Sequence, residues 1–234
     1  MPIKRFLDET FFDSWTPESA YILGLLMADG TLTTNPRGSR YVEFLSTDRE
    51  LVDLFRSLLK SNHKISLKKR PPNKKWKPTY RIQVGNKYML SRLSNIGLSQ
   101  KSCVPRMSKR YYRDFVRGFF DGDGCVISST YYSMERNKRR PYLQVVLTSK
   151  YRKFLQQLHS GLEKQANLQG GSLYKGSRAY RLRYSQRDVL KLEPFLYKGV
   201  KKRLRLQRKY KIFQKADHSF ENKDVSKWGR SSIG

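Results

Sequence analysis

The chain has 234 residues, with 49 Lys and Arg against 19 Asp and Glu, a formal net charge of +30. Self-repulsion on that scale costs stability and is relieved by a polyanionic partner, so nucleic acid is the leading candidate and a membrane surface the second. No apolar run approaches the length of a spanning helix, the N-terminus lacks a signal-peptide core, and Cys103 and Cys125 have neither the number for a disulfide framework nor a metal-type spacing.

In chain order, Thr16 and Pro17 predict a helix start, followed by Ala20 to Ala28, apolar nearly all round, as expected of a buried helix. The helix is expected to stop at Asp29-Gly30, with Gly30 in the left-handed conformation common after a helix end. Strands are predicted over Gly30–Thr34 and Arg40–Ser46, joined by the turn-rich Asn35-Pro36-Arg37-Gly38. Thr47-Asp48 caps an amphipathic helix with Leu51, Leu54, Phe55, Leu58 and Leu59 on one face. Strands near Lys64–Arg70 and Thr79–Val84 bracket a basic loop, and a helix near Asn86–Asn95 closes the unit.

The second half repeats the order. Tyr111–Phe120 reads as a buried helix ending at Asp121-Gly122-Asp123-Gly124. Strands Cys125–Tyr132 and Tyr142–Leu147 flank a very basic loop, and Thr148-Ser149 caps the next helix. Strands near Ser172–Lys175 and Arg178–Tyr184 and a helix around Arg187–Tyr197 complete an internal α-β-β-α-β-β-α duplication. Lys198–Lys215, with nine Lys or Arg and no acid, predicts an added basic helix. The expected units are residues 1–100 and 111–216, with a linker at 101–110 near Pro105 and a polar, flexible tail at 217–234.

Two segments can be laid over each other: Leu23-Gly24-Leu25-Leu26-Met27-Ala28-Asp29-Gly30 and Arg117-Gly118-Phe119-Phe120-Asp121-Gly122-Asp123-Gly124. Gly inside a helix costs about 1 kcal/mol relative to Ala, a cost explained if Gly24 and Gly118 let two helices cross with their backbones in contact. Asp29 and Asp123 would then emerge side by side from two helix C-termini, where exposed carbonyls and partial negative charge favour a cation. Two carboxylates plus carbonyl oxygens are hard ligands that suit Mg²⁺ and leave positions for water and phosphate, as metal-assisted phosphodiester cleavage requires. One apolar helix ending in Asp-Gly is ordinary; two, each starting a repeat, are not.

Both segments resemble the signature of the LAGLIDADG homing endonucleases in the double-motif, single-chain form, over about Pro17 to Phe213. The resemblance implies an α+β fold of two pseudo-symmetric units forming a saddle, with motif helices at the interface and antiparallel sheets facing DNA. It implies a monomeric, site-specific endonuclease that uses two or three Mg²⁺ ions, with Mn²⁺ or Ca²⁺ able to substitute in binding, to make a staggered break in a long asymmetric target. Carried over, Asp29 and Asp123 bind metal, with the carbonyls of Ala28 and Gly122 as further ligands; Asp121, whose counterpart is Met27, is structural. A Lys beside the active site falls on Lys101 in the first half and on Lys198 or Lys201 in the second. Asp48 and Ser149 occupy the places of a water-positioning residue, though both also read as helix caps.

In the strands, Arg81 and Gln83 of one half and Arg181 and Arg183 of the other alternate with apolar residues and suit base edges, Arg favouring guanine and Gln adenine. Arg37, Arg40, Lys68, Arg70, Arg136, Arg139 and Arg140 are the expected phosphate contacts. Histidines His63, His159 and His218 form no metal cluster, and no Walker-type loop is present. Met1 and the Ser-Ser-Ile-Gly end argue against an intein origin, and the cysteine usage predicts a reducing, intracellular setting. Two rival functions use the same fold: an RNA maturase that assists splicing, with intron RNA as partner, and a non-catalytic DNA-binding regulator.

Overall fold

Thr16 opens the first helix by a reciprocal cap: its Oγ1 accepts from the Ser19 amide at 3.0 Å, and its own amide donates to Ser19 Oγ at 2.9 Å. Residues 5–68 and 77–221 are described in the computed structural model, with side chains through residue 216. Helix α1 (Pro17–Asp29) buries every residue from Ser19 to Met27, as its all-apolar surface requires. Strands β1 (Gly30–Thr34) and β2 (Arg40–Ser46), helix α2 (Arg49–Leu58), strands β3 (Ile65–Leu67) and β4 (Tyr80–Val84), and helix α3 (Lys87–Ile96) complete the first unit. The second comprises α4 (Lys109–Asp123), β5 (Gly124–Ser133), β6 (Lys138–Ser149), α5 (Arg152–Ala166), β7 (Ser172–Lys175), β8 (Tyr180–Ser185) and α6 (Gln186–Tyr197). Each unit has one antiparallel four-stranded sheet, in the matching orders β1-β2-β4-β3 and β5-β6-β8-β7. The predicted α+β duplication is therefore present element for element.

Alternation along the strands sends Val42, Phe44, Ile82 and Val84 of one sheet, and Leu143, Val145, Leu147, Leu182 and Tyr184 of the other, into the core. The two units meet through α1 and α4. A Cβ on Gly24 would lie 2.1 Å from the Phe115 carbonyl oxygen, and one on Gly118 would lie 2.0 Å from that of Tyr21. The glycines are there because the two backbones touch. Gly122 repeats the contact one turn on, where a Cβ would lie 2.4 Å from Ala28 Cβ.

Three expectations need correction. Gly30 and Gly124 are not left-handed: their φ/ψ are −85°/154° and −84°/154°, so each helix runs directly into a strand. Glycine is needed for space, since a Cβ at either would press on the preceding turn, on Leu26 or Phe120. Second, α4 continues through Asp121 and Gly122 to Asp123, and the basic stretch between β5 and β6 is mostly strand. Ten paired rungs run from Gly124–Leu147 to Ser133–Lys138, so Arg139 and Arg140 are strand residues and only Arg136 is in the turn.

Third, the added basic helix starts later and ends later than its composition suggests. Gly199 adopts φ 72°, a short 3₁₀ turn covers Lys202–Leu204, and α7 spans Gln207–Glu221, inside the expected tail; residues 222–234 of that tail lie outside the described residues. Buried polar groups of α4 hold this bend. Arg117, fully buried and paired with Asp114 at 2.7 Å, donates to the carbonyls of Leu204 (2.7 Å) and Leu196 (3.1 Å). Asp121 accepts from the Leu206 amide at 2.9 Å and from the Tyr21 hydroxyl at 2.7 Å. These bonds satisfy backbone groups that a continuous helix would have satisfied internally. Asp121 thus ties α1, α4 and the C-terminal segment together, the structural part expected of it.

Candidate active site

Because α1 and α4 cross with backbones in contact and both end in Asp, the two carboxyls lie near one another at one end of the interface. A Cβ on Gly122, the residue before Asp123, would lie 3.8 Å from Asp29 Oδ2. Burial, then the charge of Asp123, raises the Asp29 carboxyl to about 7. Burial also raises Asp123, against the pull of Lys101 and Lys209. Two acids with elevated pKa at a shared site mark a place short of positive charge.

Two lysines partly supply it, one per helix. Lys101 Nζ donates to the carbonyls of Leu26 (2.7 Å) and Gly30 (2.5 Å) at the end of α1. Lys209 Nζ donates to those of Phe120 (2.6 Å) and Asp121 (2.8 Å) at the end of α4. Both ammonium groups sit on helix-end carbonyls, where the dipole favours a cation; those of Leu26 and Phe120 also accept from the Gly30 and Gly124 amides. Burial lowers each lysine to about 8, opposed by the nearby carboxylates. Neither lysine occupies the carbonyls of Ala28 or Gly122, the two proposed as ligands.

The expectation for the second lysine is corrected. Lys198 and Lys201 are exposed, and the Lys198 carbonyl accepts from Arg113, ten residues before Asp123 and so roughly 15 Å away along α4. Lys209 had a legible signal: it lies in register with Leu206, Phe213 and Ala216 on the buried stripe of α7, a costly place for a Lys without partners. Asp48 makes no side-chain cap on α2; both of its oxygens take Arg208 of α7, at 2.6 and 2.7 Å. Ser149 makes no side-chain cap on α5 either, its Oγ accepting from the Tyr151 amide at 3.2 Å before the helix begins.

Strand register assigns the outward residues. Arg81 and Gln83 share the outer face of the first sheet with Thr31, Thr33, Tyr41 and Glu43. Thr79, which precedes β4, is buried rather than available to a ligand. Arg181 and Arg183 share the outer face of the second sheet with Arg140 and Gln144. Arg37 is exposed in the β1–β2 turn and Lys68 just after β3. Arg40 and Arg139 are exposed too, but have the register of the core-facing residues, at strand ends where the core no longer covers that face. Arg70 lies outside the described residues. Among the described residues no helix is long and apolar enough to cross a membrane.

Residues 16–97 match the family model described as LAGLIDADG-like domain. The match spans the first unit, from the cap of α1 to the end of α3. The whole chain shares the fold of LAGLIDADG homing endonucleases. It aligns with I-SmaMI bound to uncleaved DNA target in the presence of calcium ions at TM-score 0.59 and 14% identity, covering 90% of this chain and 93% of that one. With the LAGLIDADG meganuclease I-AabMI bound to uncleaved DNA the TM-score is 0.59 at 14% identity, over 89% and 92% of the two chains. With mesophilic variants of the homing endonuclease I-DmoI it is 0.52 at 16%, over 77% and 90%. An uncharacterized protein of Methanocaldococcus jannaschii is 29% identical over 119 residues, so the chain spans 41% of the length of that curated relative.

The crossing of α1 and α4 gives a pH prediction for the metal-free protein. Between its ordinary 3.8 and about 7, Asp29 keeps a proton when folded that the unfolded chain has released. The folded state then binds more protons, so this group's contribution to stability falls as pH rises through that window. Asp29→Asn removes the effect. In a chelator, thermal melts should show this variant gaining on the wild type from pH 5 to pH 8; a gap that closes with rising pH would contradict the environment described.

Proposed function

We propose that this protein is a site-specific, divalent-metal-dependent DNA endonuclease that acts as a monomer on an asymmetric target. The observation carrying the proposal is the pair of carboxyls raised by burial, Asp29 and Asp123, at adjoining helix ends, each end also holding a lysine on its last carbonyls. A DNA-binding regulator would gain nothing from them, since carboxylates repel phosphates. Among the described residues no three His, Cys, Asp or Glu side chains gather into a metal cage. The donor set is instead two carboxylates plus helix-end carbonyls, which fits Mg²⁺, an ion commonly bound by one or two carboxylates with water and substrate phosphate. When bound, such an ion supplies Lewis acidity at the phosphoryl oxygen and a more acidic water.

Within that scheme Asp29 and Asp123, with the carbonyls of Ala28 and Gly122, would hold the ions. Lys101 and Lys209 neutralise the helix ends, keep the two acids close, and offset the negative charge that develops on the phosphate. Arg208 holds Asp48 at the edge of the site, beside the start of α2. The outward Arg and Gln of the sheets face base edges, while exposed Arg and Lys in the turns and strand ends meet phosphates.

The reading is tested by incubating the protein with a randomised duplex pool and Mg²⁺, with a chelator control, and recovering cut molecules. A unique, non-palindromic target is expected; no enrichment of cut DNA would refute it. Lys209→Met should lower the cleavage rate by about 10²-fold, while Lys198→Met and Lys201→Met leave it within a few-fold. Equal effects at all three would count against the assignment of Lys209. Binding affinity should fall by roughly 10³ or more between 50 and 200 mM salt. A flat salt response, measured by titration of labelled target, would mean that the basic surface faces something else.

A further inference from the structure

Across the eight strands, in a chain of net charge +30, Glu43 is the single acid. Its register puts it opposite Thr31 on β1 and opposite Gln83 on β4, all three on the outer face. On the other face its neighbours Val42 and Phe44 are fully buried, so the carboxylate cannot turn inward. Gln83 Nε2 donates to Glu43 Oε2 at 2.8 Å, and Arg81 Nη1 lies 3.8 Å from the same oxygen. Among the described residues both contacts fall on Oε2, which leaves Oε1 as an acceptor on an outer-face side chain that is 15% exposed.

The duplication supplies a comparison within the molecule. Gly30 pairs with Phe44 as Gly124 pairs with Leu147, so Glu43 corresponds to Val146; Gln83, opposite Glu43, corresponds to Arg183, opposite Val146. One unit presents a carboxylate and an amide, the other a methyl surface and an exposed guanidinium held over the Tyr174 ring at 5.7 Å. Thr31, opposite Glu43, is two residues beyond Asp29, so these are among the innermost positions of each sheet.

Resting on the endonuclease reading above, we propose that Glu43, with Gln83, is a specificity determinant that demands a base bearing an exocyclic amino group, cytosine N4 or adenine N6, near the centre of the first half-site. A carboxylate facing DNA repels phosphates and the acceptor atoms of guanine and thymine in the major groove, so it is tolerated there only where a base donates to it. At the pseudo-symmetric position Arg183 offers only donors and selects guanine O6 and N7. The exchange of Glu43 and Gln83 for Val146 and Arg183 therefore makes the central base pairs of the target unlike in the two halves.

The test is to select bound duplexes from a randomised pool, without cleavage, using the wild type and Glu43→Gln. The amide is isosteric and leaves the fold intact, which a thermal melt verifies. The wild type is expected to enrich C or A over G and T at one inner position of one half-site. In Glu43→Gln that preference should relax by about tenfold, with other positions unchanged and no loss of affinity for non-specific DNA. A uniform loss of affinity with the preference intact would show that Glu43 only braces Gln83 and Arg81, and would overturn the inference. A wild type that accepts G or T at every inner position would also overturn it. A wild type that enriches no sequence at all would refute the underlying DNA-reading function instead, which keeps the two failures distinct.

Discussion

Replacement of either Asp29 or Asp123 by Asn is expected to abolish double-strand cleavage, by at least about 10³-fold, without weakening DNA binding. The loss is large because the amide carries no charge for the cation, and because the site has no third acidic side chain among the described residues to take over. The sign of the binding effect separates this role from a structural one. Each Asn removes a negative charge from a surface that meets phosphates, so affinity measured in a chelator should hold or rise. Folding should not suffer either, since burial and the opposing carboxyl already disfavour the charged form of Asp29. Full cleavage activity in either variant, or a parallel loss of binding and stability, would remove the two acids from the catalytic assignment. Gel-shift and cleavage assays on one selected target, at matched salt, provide both readouts.

Much of this site was legible in the sequence because its elements are local. A buried helix with an internal Gly, an Asp and a terminal Gly five and six residues on, and a strand immediately after can each be read from a window of a dozen residues, and the second copy excludes coincidence. What was not legible depended on partners distant in sequence. Asp48 reads as a cap from its neighbours, yet its oxygens are taken by Arg208, 160 residues away. Apart from Gly199, a continuous helix over the final basic run meets no local obstacle. The observed bend exists because Arg117 and Asp121, buried in α4, capture Leu204 and Leu206. That bend in turn sets the phase of α7, so the lysine placed beside Asp123 is Lys209, while Lys198 and Lys201 stay exposed. Composition could not single out one Lys from nine; the apolar stripe of Leu206, Phe213 and Ala216 could. The β5–β6 hairpin was misread for the opposite reason: a strand whose both faces carry basic residues has no apolar alternation to reveal it.

Gly24→Leu and Gly118→Leu should be the most damaging single substitutions to stability outside the unit cores. Overpacking typically costs about 1–3 kcal/mol, because side chains can usually rotate out of the way. Here the obstruction is backbone. A Cβ at position 24 meets the Phe115 carbonyl oxygen at 2.1 Å and the Phe119 nitrogen at 2.7 Å; at position 118 it meets the Tyr21 carbonyl oxygen at 2.0 Å. No rotamer relieves a clash made by the first side-chain atom, so even Ala must push the helices apart. Against this, Ala in a helix interior gains about 1 kcal/mol over Gly. The contest decides the outcome: if the helices cross as described, Gly24→Ala and Gly118→Ala are destabilising despite their better propensity, and the Leu variants more so. Separation has a second consequence at the site. As the helices part, Asp29 gains water and loses part of the opposing charge of Asp123, so its carboxyl should return from about 7 toward the ordinary range. Cleavage should fall with it, since the two acids would no longer share their ions. Denaturant melts of the four variants, with the Asp29 carboxyl titrated by NMR in those that fold, test both halves of the argument. Alanine variants that are more stable than the wild type, with the Asp29 ionisation unmoved, would show that the backbones are not in contact at these glycines.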